Sequence, residues 1–374
     1  MDESNYNDIF EVSLIGTGGG YGESIILNLG NNNWIVVDSC QDPNTKLSLP
    51  LEYLKLKNVN LSRDIKLIIC THWHNDHILG LSDLLEACES ANFCMASATD
   101  RKKFLLMVGI DAKKVVSETS ISSTSELSKC IDIVRQRKQN LVSAVQDRMI
   151  FSDNQNNIDS KIFTLSPSDF ILEQFNYEIS TLLSEYYSSN RKIVLESPND
   201  KSVAILIKVN NINVILGSDL EVSNDSKKGW LCILDNCKCI DSKASIFKIP
   251  HHGSRNGFHE RIWSEIIEDN AIAKLTPWNR GGGLPTKEML TLYSTYTDNL
   301  YMTSYSSQKN PKPKKRDRTI AKAINRFNKT LNEERFSFGI ISCKYNLISK
   351  NDDWAIELTN KAFKVNDEFI EKLS

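Results

Sequence analysis

Apolar residues in this chain fall in short β-type runs at corresponding places in two regions. Glu23-Ser24-Ile25-Ile26-Leu27-Asn28-Leu29 and Trp34-Ile35-Val36-Val37 flank the turn-forming stretch Gly30-Asn31-Asn32-Asn33, which predicts a β-hairpin. The runs 201–209 and 212–216 flank Asn210-Asn211 in the same way. The first hairpin ends in Asp38 and the second in Gly217-Ser218-Asp219. From each aspartate the chain reaches another β run that ends in histidine, 34 residues on at His72 and 32 on at the pair His251-His252. Hairpin, aspartate, interval, strand and histidine therefore occur twice, and a quasi-repeat of this kind predicts two similar halves.

Between the halves lies an insertion of about residues 100–160, which starts Arg101-Lys102-Lys103-Phe104. Apolar positions three and four apart over 127–150 predict a surface helix there, and the Ser/Thr-rich stretch 117–128 predicts a loop. A second addition runs from about residue 265 to the C-terminus. Its loop Trp278-Asn279-Arg280-Gly281-Gly282-Gly283-Leu284-Pro285 leads into a helix expected from Thr286, and the runs 336–341 and 354–358 predict a terminal hairpin. No separate globular domain is evident, so residues 1–374 are expected to form one domain with a mainly helical insertion and a C-terminal extension.

Candidate chemistry concentrates in Thr71-His72-Trp73-His74-Asn75-Asp76-His77, which holds three of the chain's six histidines. Imidazole and carboxylate are ligands that zinc, manganese and iron accept. In an extended segment, residues two apart point the same way, so His72 and His74 can grip one ion. Asp76 and His77 follow where the chain turns into the next helix and can face a second.

The His-x-His-x-Asp-His pattern resembles the signature of the metallo-β-lactamase superfamily. That resemblance implies an α/β fold, an αββα sandwich of two facing mixed β-sheets with outer helices, with metals at one edge where both halves contribute loops. It implies that His72, His74, Asp76 and His77 include ligands of two ions, that Asp219 bridges them, and that Asp38 organises the surrounding loops. Pro250-His251-His252-Gly253-Ser254 resembles the last histidine motif. Relatives ending Ile-Pro-x-His place the ligand at the position of His252, which leaves His251 beside the ligands or against substrate. The superfamily often supplies one more histidine before the bridging aspartate, yet residues 78–250 contain none. The first metal site is thus expected to be incomplete. The same gap is typical of the ComEC-like hydrolase domain of DNA-uptake competence proteins. That branch also shows a Gly-rich start with an acidic residue (here Gly16 to Glu23), an Asn-x-x-Ser step (Asn199, Ser202) and His-His-Gly-Ser.

What the resemblance implies chemically is a metal-dependent hydrolase, with two divalent ions, zinc foremost and manganese the alternative, activating a bridging hydroxide that Asp219 holds and Asp76 orients. A phosphodiester is the natural target, and a nuclease the leading reading. A hydrolase of a cyclic nucleotide or carbonyl ester uses the same parts, and a non-catalytic binding module on a degenerate site remains a third. Arg255 and Arg280 are candidates to touch a phosphate in the cleft. The run Lys309, Lys312, Lys314, Lys315, Arg316, Arg318, Lys322 and Arg326 against the single acid Asp317 stands out in a chain of net charge −2, and phosphate-rich ligands are held by such groups. Nucleic acid or a nucleotide is therefore the expected partner, and the sequence names no protein partner.

Composition narrows the setting. With 40% hydrophobic and 25% charged residues the chain is of ordinary globular make-up. It has no apolar run of the roughly 18–20 residues that span a bilayer, and its acidic start Met1-Asp2-Glu3-Ser4-Asn5 is unlike a secretory signal. The nine cysteines are an odd number, several in apolar stretches, which points to a reduced cytoplasm. Cys232, Cys237 and Cys239 have the look of a zinc clip, but no fourth ligand stands near them in sequence.

Overall fold

The structure is a computed structural model, and it describes residues 6–17, 19–42, 45–96, 101–115, 123–189, 198–279, 283–305, 338–348 and 353–373. Among these residues sixteen strands form two eight-stranded mixed sheets. Strands of the first half are β1 (Ile9–Thr17), β2 (Glu23–Leu29), β3 (Trp34–Val37), β4 (Ile65–Cys70), β5 (Asn92–Ala96) and β6 (Val142–Ala144). Next come β7 (Arg148–Gln155), β8 (Ile158–Thr164), β9 (Ile205–Val209), β10 (Ile212–Leu216), β11 (Ala244–Lys248), β12 (Ile267–Leu275) and β13 (Leu300–Met302). The last are β14 (Phe338–Asn346), β15 (Ala355–Asn360) and β16 (Phe363–Lys364). One sheet has the order β15-β14-β1-β2-β3-β4-β5-β6 and the other β16-β13-β12-β11-β10-β9-β8-β7.

Strand periodicity explains the layers. Ile25, Leu27, Ile35, Val37, Leu67 and Ile69 of the first sheet pack with Ile205, Ile207, Val214, Leu216 and Ile246 of the second. Their alternates, Ile26, Trp34, Val36, Ile68 and Phe93, face helices that bring Leu54, Leu84, Phe104, Ile131 and Phe175. On the other side Leu206, Ile215 and Phe247 meet Trp230, Trp263, Leu290 and Tyr293. Central strands are buried on both faces, so they read as unbroken apolar runs.

Both predicted hairpins form, β2 with β3 and β9 with β10, and each is followed by a parallel neighbour, β4 beside β3 and β11 beside β10. Three expectations need correction. The helix expected over 127–150 is the helix Ser123–Gln136, so the later part of the presumed loop 117–128 is helical. That helix stops before Lys138, which takes a left-handed φ of 54°, and the chain goes on as β6, β7 and β8. β7 and β8 are joined by Asn156-Asn157, with φ of 51° and 62°, the left-handed pair that a tight hairpin needs. The strand expected from 201 begins at Ile205, because Pro198–Lys201 form a helical turn. The expected C-terminal hairpin forms as β14–β15, and β14 also pairs with the whole of β1 from Ile9↔Asn346 to Thr17↔Phe338. No described helix is long and apolar enough to cross a membrane.

Candidate metal centre

The site lies beyond the carboxyl ends of the parallel-paired strands β3, β4, β10 and β11, where open α/β sheets expose a crevice. His72 and His74 stand on the extended segment after β4. Asp76 and His77 sit on the one-turn helix Asn75–Ile78. Asp219 follows β10 and His252 follows β11. Asp38, Ser218, His251 and His252 all hold left-handed φ between 46° and 60°. Such strain in residues with a Cβ persists where the surroundings fix it, and it clusters at functional sites. Gly22 does what a larger residue could not: its φ is 118°, and a Cβ there would stand 2.1 Å from the carbonyl oxygen of Asp76.

Two donor sets result, and Asp219 belongs to both. One is His72, His74 and Asp219; the other is Asp76, His77, Asp219 and His252, with the ligand atoms of each within 4.8 Å of one another. Asp219 Oδ2 lies 3.7 Å from His72 Nε2 and 3.7 Å from His252 Nε2, while Oδ1 lies 3.4 Å from His77 Nε2. Asp76 Oδ2 lies 3.2 Å from His252 Nε2.

Each ring is aimed by a bond to its other nitrogen. His77 Nδ1 donates to Asp38 Oδ2 at 2.7 Å, and His252 Nδ1 donates to the Thr276 carbonyl at 3.0 Å. His72 Nδ1 meets Thr71 Oγ1 at 3.0 Å, and that hydroxyl donates to Asp38 Oδ2 at 2.7 Å. Asp38 therefore orients rings from both sets. Ser202 performs a similar office for Asp219, whose backbone N–H donates to Ser202 Oγ at 3.1 Å. Supporting bonds of this kind fix tautomer and direction in metal sites.

Electrostatics separates the rings. Burial, reinforced by the charge on His77, pushes His72 well below the usual imidazole range, and burial pushes His74 down as well. Burial acts in the same direction on His77 and His252, but Asp219 and the other carboxylates outweigh it and raise both. For Asp76 and Asp219 burial opposes ionisation, yet the charge on His77 and then on His252 prevails and holds both carboxyls low.

The donors fit a cation. His77 Nε2 and Asp219 Oδ1 are buried with no hydrogen-bond partner, which is costly unless something in the site satisfies them. The set of imidazole and carboxylate suits zinc or a neighbouring divalent metal. His72, His74 and Asp219 give one position only three donors, so the place of the absent midchain histidine is taken by no other described side chain in that set.

A cavity of about 360 Å³ opens on these groups, lined by His74, Asn75, Asp76, Asn199, Asp219, His251, His252, Trp278 and Leu284. His251 belongs to neither donor set. Its Nδ1 lies 3.0 Å from Asn256 Oδ1 and 3.2 Å from Glu221 Oε1, and its Nε2 faces Asn199 Nδ2 at 3.5 Å. Asn199 donates to Glu221 at 2.9 Å and leaves its own Oδ1 buried without a partner. Arg255 does not line the cavity: it is exposed and its guanidinium stacks over Phe258 at 5.5 Å. Arg280, Lys314, Lys315 and Arg316 lie outside the described residues.

Sequence reasoning missed Trp278 as a wall of the cavity, its ring centroid 5.4 Å from that of His252. It also missed Lys248, which is 1% exposed, ion-paired with Glu23 across the two sheets and donating to the Ser218 carbonyl at 3.1 Å. The available signal was a lysine inside the apolar run Ile246 to Pro250, since lysine is almost never fully buried unless paired.

Known proteins add to this geometry. A family model described as the metallo-beta-lactamase superfamily matches residues 17–105, a stretch that holds Asp38 and all four residues of the His-x-His-x-Asp-His motif. The chain has the metallo-β-lactamase fold. Among solved structures, it is similar to the metallo-beta-lactamase fold protein YhfI from Bacillus subtilis, at 13% identity over 64% of this chain and 70% of that one, with a TM-score of 0.33. It is similar to Zn²⁺-bound PqqB from Methylobacterium extorquens, at 11% identity over 64% and 71% with a TM-score of 0.31. It is also similar to CmlA, a diiron β-hydroxylase from Streptomyces venezuelae, at 12% identity over 64% and 34% with a TM-score of 0.33. No curated protein sequence matches the chain.

Proposed function

We propose that this protein is a metal-dependent hydrolase whose substrate is a phosphodiester, with a nuclease of the ComEC-like branch as its form. The observation that carries the reading is Asp219, shared by two donor sets at the floor of an open cavity. A purely structural metal has no need of a carboxylate shared between two donor sets. His72, His74 and Asp219 would hold one divalent cation, and Asp76, His77, Asp219 and His252 the other, zinc foremost and manganese the alternative. Such ions, when bound, acidify water and neutralise charge on a phosphoryl group.

The chain's own residues supply the rest. Asp76 lines the cavity, which suits its carboxylate to orient the attacking water and accept its proton. Asn199 and His251 present polar groups at the rim for the substrate's oxygens. Lys314, Lys315 and Arg316, with the neighbouring basic residues, supply a track for a polyanion. The three-donor first set leaves room for substrate to complete it.

Trp278 and Leu284 favour a second reading. They give the cavity an apolar wall, and about 360 Å³ lies in the range of small-molecule sites, so a cyclic nucleotide or a compact ester is the alternative substrate.

One experiment decides. Protein loaded with zinc or manganese is assayed on a chromogenic phosphodiester, cyclic nucleotides, DNA and RNA at several salt concentrations. The expected result is hydrolysis of diesters that disappears in Asp76→Asn and Asp219→Asn, with binding of long strands that weakens steeply with salt. Turnover confined to carbonyl esters would overturn the phosphodiester reading, and turnover of cyclic nucleotides with little salt dependence would favour the small-molecule form.

A further inference from the structure

A second cluster of metal-competent groups lies in the corner where the chain passes from one sheet to the other. β6 is the edge of the first sheet and β7 the edge of the second, and Asp147 stands in the three-residue turn between them. Cys237 and Cys239 come from the loop between the helix Gly229–Asn236 and β11. Cys237 Sγ donates to Asp147 Oδ1 at 2.9 Å and lies 3.3 Å from Cys239 Sγ, and the three ligand atoms are within 4.8 Å of one another. Asp147 has a left-handed φ of 61°, and the backbone N–H groups of Lys238 and Cys239 donate to the same Oδ1 at 2.9 and 3.0 Å. Cys232, the third cysteine of the sequence pattern, is not part of the cluster. Its thiol donates to Gln146 Oε1 at 3.4 Å. The aspartate that takes its place lies 90 residues from Cys237, beyond the reach of a local pattern.

We propose that Asp147, Cys237 and Cys239 form a structural site for a borderline-soft divalent cation, zinc foremost, which pins the sheet-to-sheet crossover to the second half of the sandwich. Thiolates select zinc over magnesium, calcium and manganese, so this site differs in preference from the His/Asp centre. Donors at zinc distances of about 2.0–2.3 Å stand roughly 3.3–3.8 Å apart in a tetrahedron, so the cluster admits the ion by opening about half an ångström. A disulfide would instead require the sulfurs, now 3.3 Å apart, to close to about 2.05 Å. Binding displaces two thiol protons to solvent, while Asp147 contributes a carboxylate. Three donors leave a fourth position for water. The place suits a clip, because β6 has only three residues and β7 is largely exposed.

Cobalt distinguishes this site from the main centre, whose donors are all nitrogen and oxygen. Full-length protein loaded with Co²⁺ is expected to show thiolate-to-cobalt charge-transfer absorption, which Cys237→Ser/Cys239→Ser removes together with one equivalent of bound metal. Absence of that absorption in the wild type, or its persistence in the double variant, overturns the proposal. An intact mass two hydrogens light without reductant overturns it in favour of a disulfide. Should the double variant fail to fold, wild-type protein answers through alkylation of Cys237 and Cys239 read by peptide mass spectrometry. Zinc is expected to slow that reaction about tenfold or more, and an unchanged rate overturns the site.

Discussion

His77 Nδ1 rests 2.7 Å from Asp38 Oδ2, and this bond turns the other ring nitrogen onto Asp76 and Asp219, 3.6 and 3.4 Å away. The same carboxylate takes the Thr71 hydroxyl that supports His72. Asp38 is contributed by the end of β3, His77 by the helix after β4. In the proposed metal centre the aspartate would therefore act on binding without touching a cation.

Asp38→Asn is therefore expected to lower affinity at both positions while the fold survives. Partners of ligating histidines typically contribute 10–100-fold to metal affinity, and a loss of about that size should appear in chelator competition. Unchanged affinity would show that the His77 ring needs no such support.

The two adjacent histidines should separate cleanly. His252 is buried with its Nε2 on Asp76, whereas His251 lines the cavity and leans on Asn256 and Glu221. His252→Ala is expected to lose metal from the second set and with it all turnover. His251→Ala should keep its metal content and change KM or kcat instead. Equal metal loss in both variants would contradict the division of roles.

How far the sequence disclosed this arrangement differs from place to place. The residues of the two donor sets were legible because strand period, turn residues and the His-x-His spacing act locally, and the repeated hairpin-aspartate-histidine order, with the family resemblance, indicated which distant residues meet. β14 was not legible as a partner of β1, since nothing local says where an edge strand will dock across more than 300 residues (Ile9↔Asn346). The helix Asp169–Ser189 carried a signal in Ile171, Phe175, Ile179 and Leu183, all buried, spaced by four. β7 hid itself, because its apolar residues Met149-Ile150-Phe151 are consecutive and the rest of this mostly exposed edge strand is polar, so no alternation can be read.

Metal affinity should rise with pH. Asp219 and the other carboxylates raise His77 and His252 above their usual range, so without metal these rings keep their protons at pH values where free imidazole has lost them. A cation must displace those protons, and binding weakens as pH falls. His72 and His74 are pushed down and stay neutral, so they add no such dependence near neutrality. Affinity for zinc, measured by competition from about pH 6 upward, is expected to climb by up to tenfold per unit for each proton released. The climb should flatten once pH passes the raised values. A flat profile would place the protons elsewhere.

The Lys248–Glu23 pair joins β11 of one sheet to β2 of the other behind the site. Both side chains are almost wholly buried, and Glu23 Oε2 has no hydrogen-bond partner. For Lys248 burial works against the charge, but Glu23 and then Asp219 outweigh it and raise the ammonium above its usual range. Lys248→Met would leave the buried Glu23 carboxyl without its ion-pair partner and free the Ser218 carbonyl next to Asp219. Breaking a buried pair in this way costs about 3–5 kcal/mol, whereas replacing both partners with apolar residues of similar volume is often close to neutral. The double variant Glu23→Leu/Lys248→Met is therefore expected to be more stable to urea than Lys248→Met alone. If stability is the pair's whole role, the double variant also keeps its metal. Should it regain stability yet bind metal more weakly, the ammonium is instead an electrostatic support for Asp219. If the double variant is less stable than either single one, the two residues do not act as a pair.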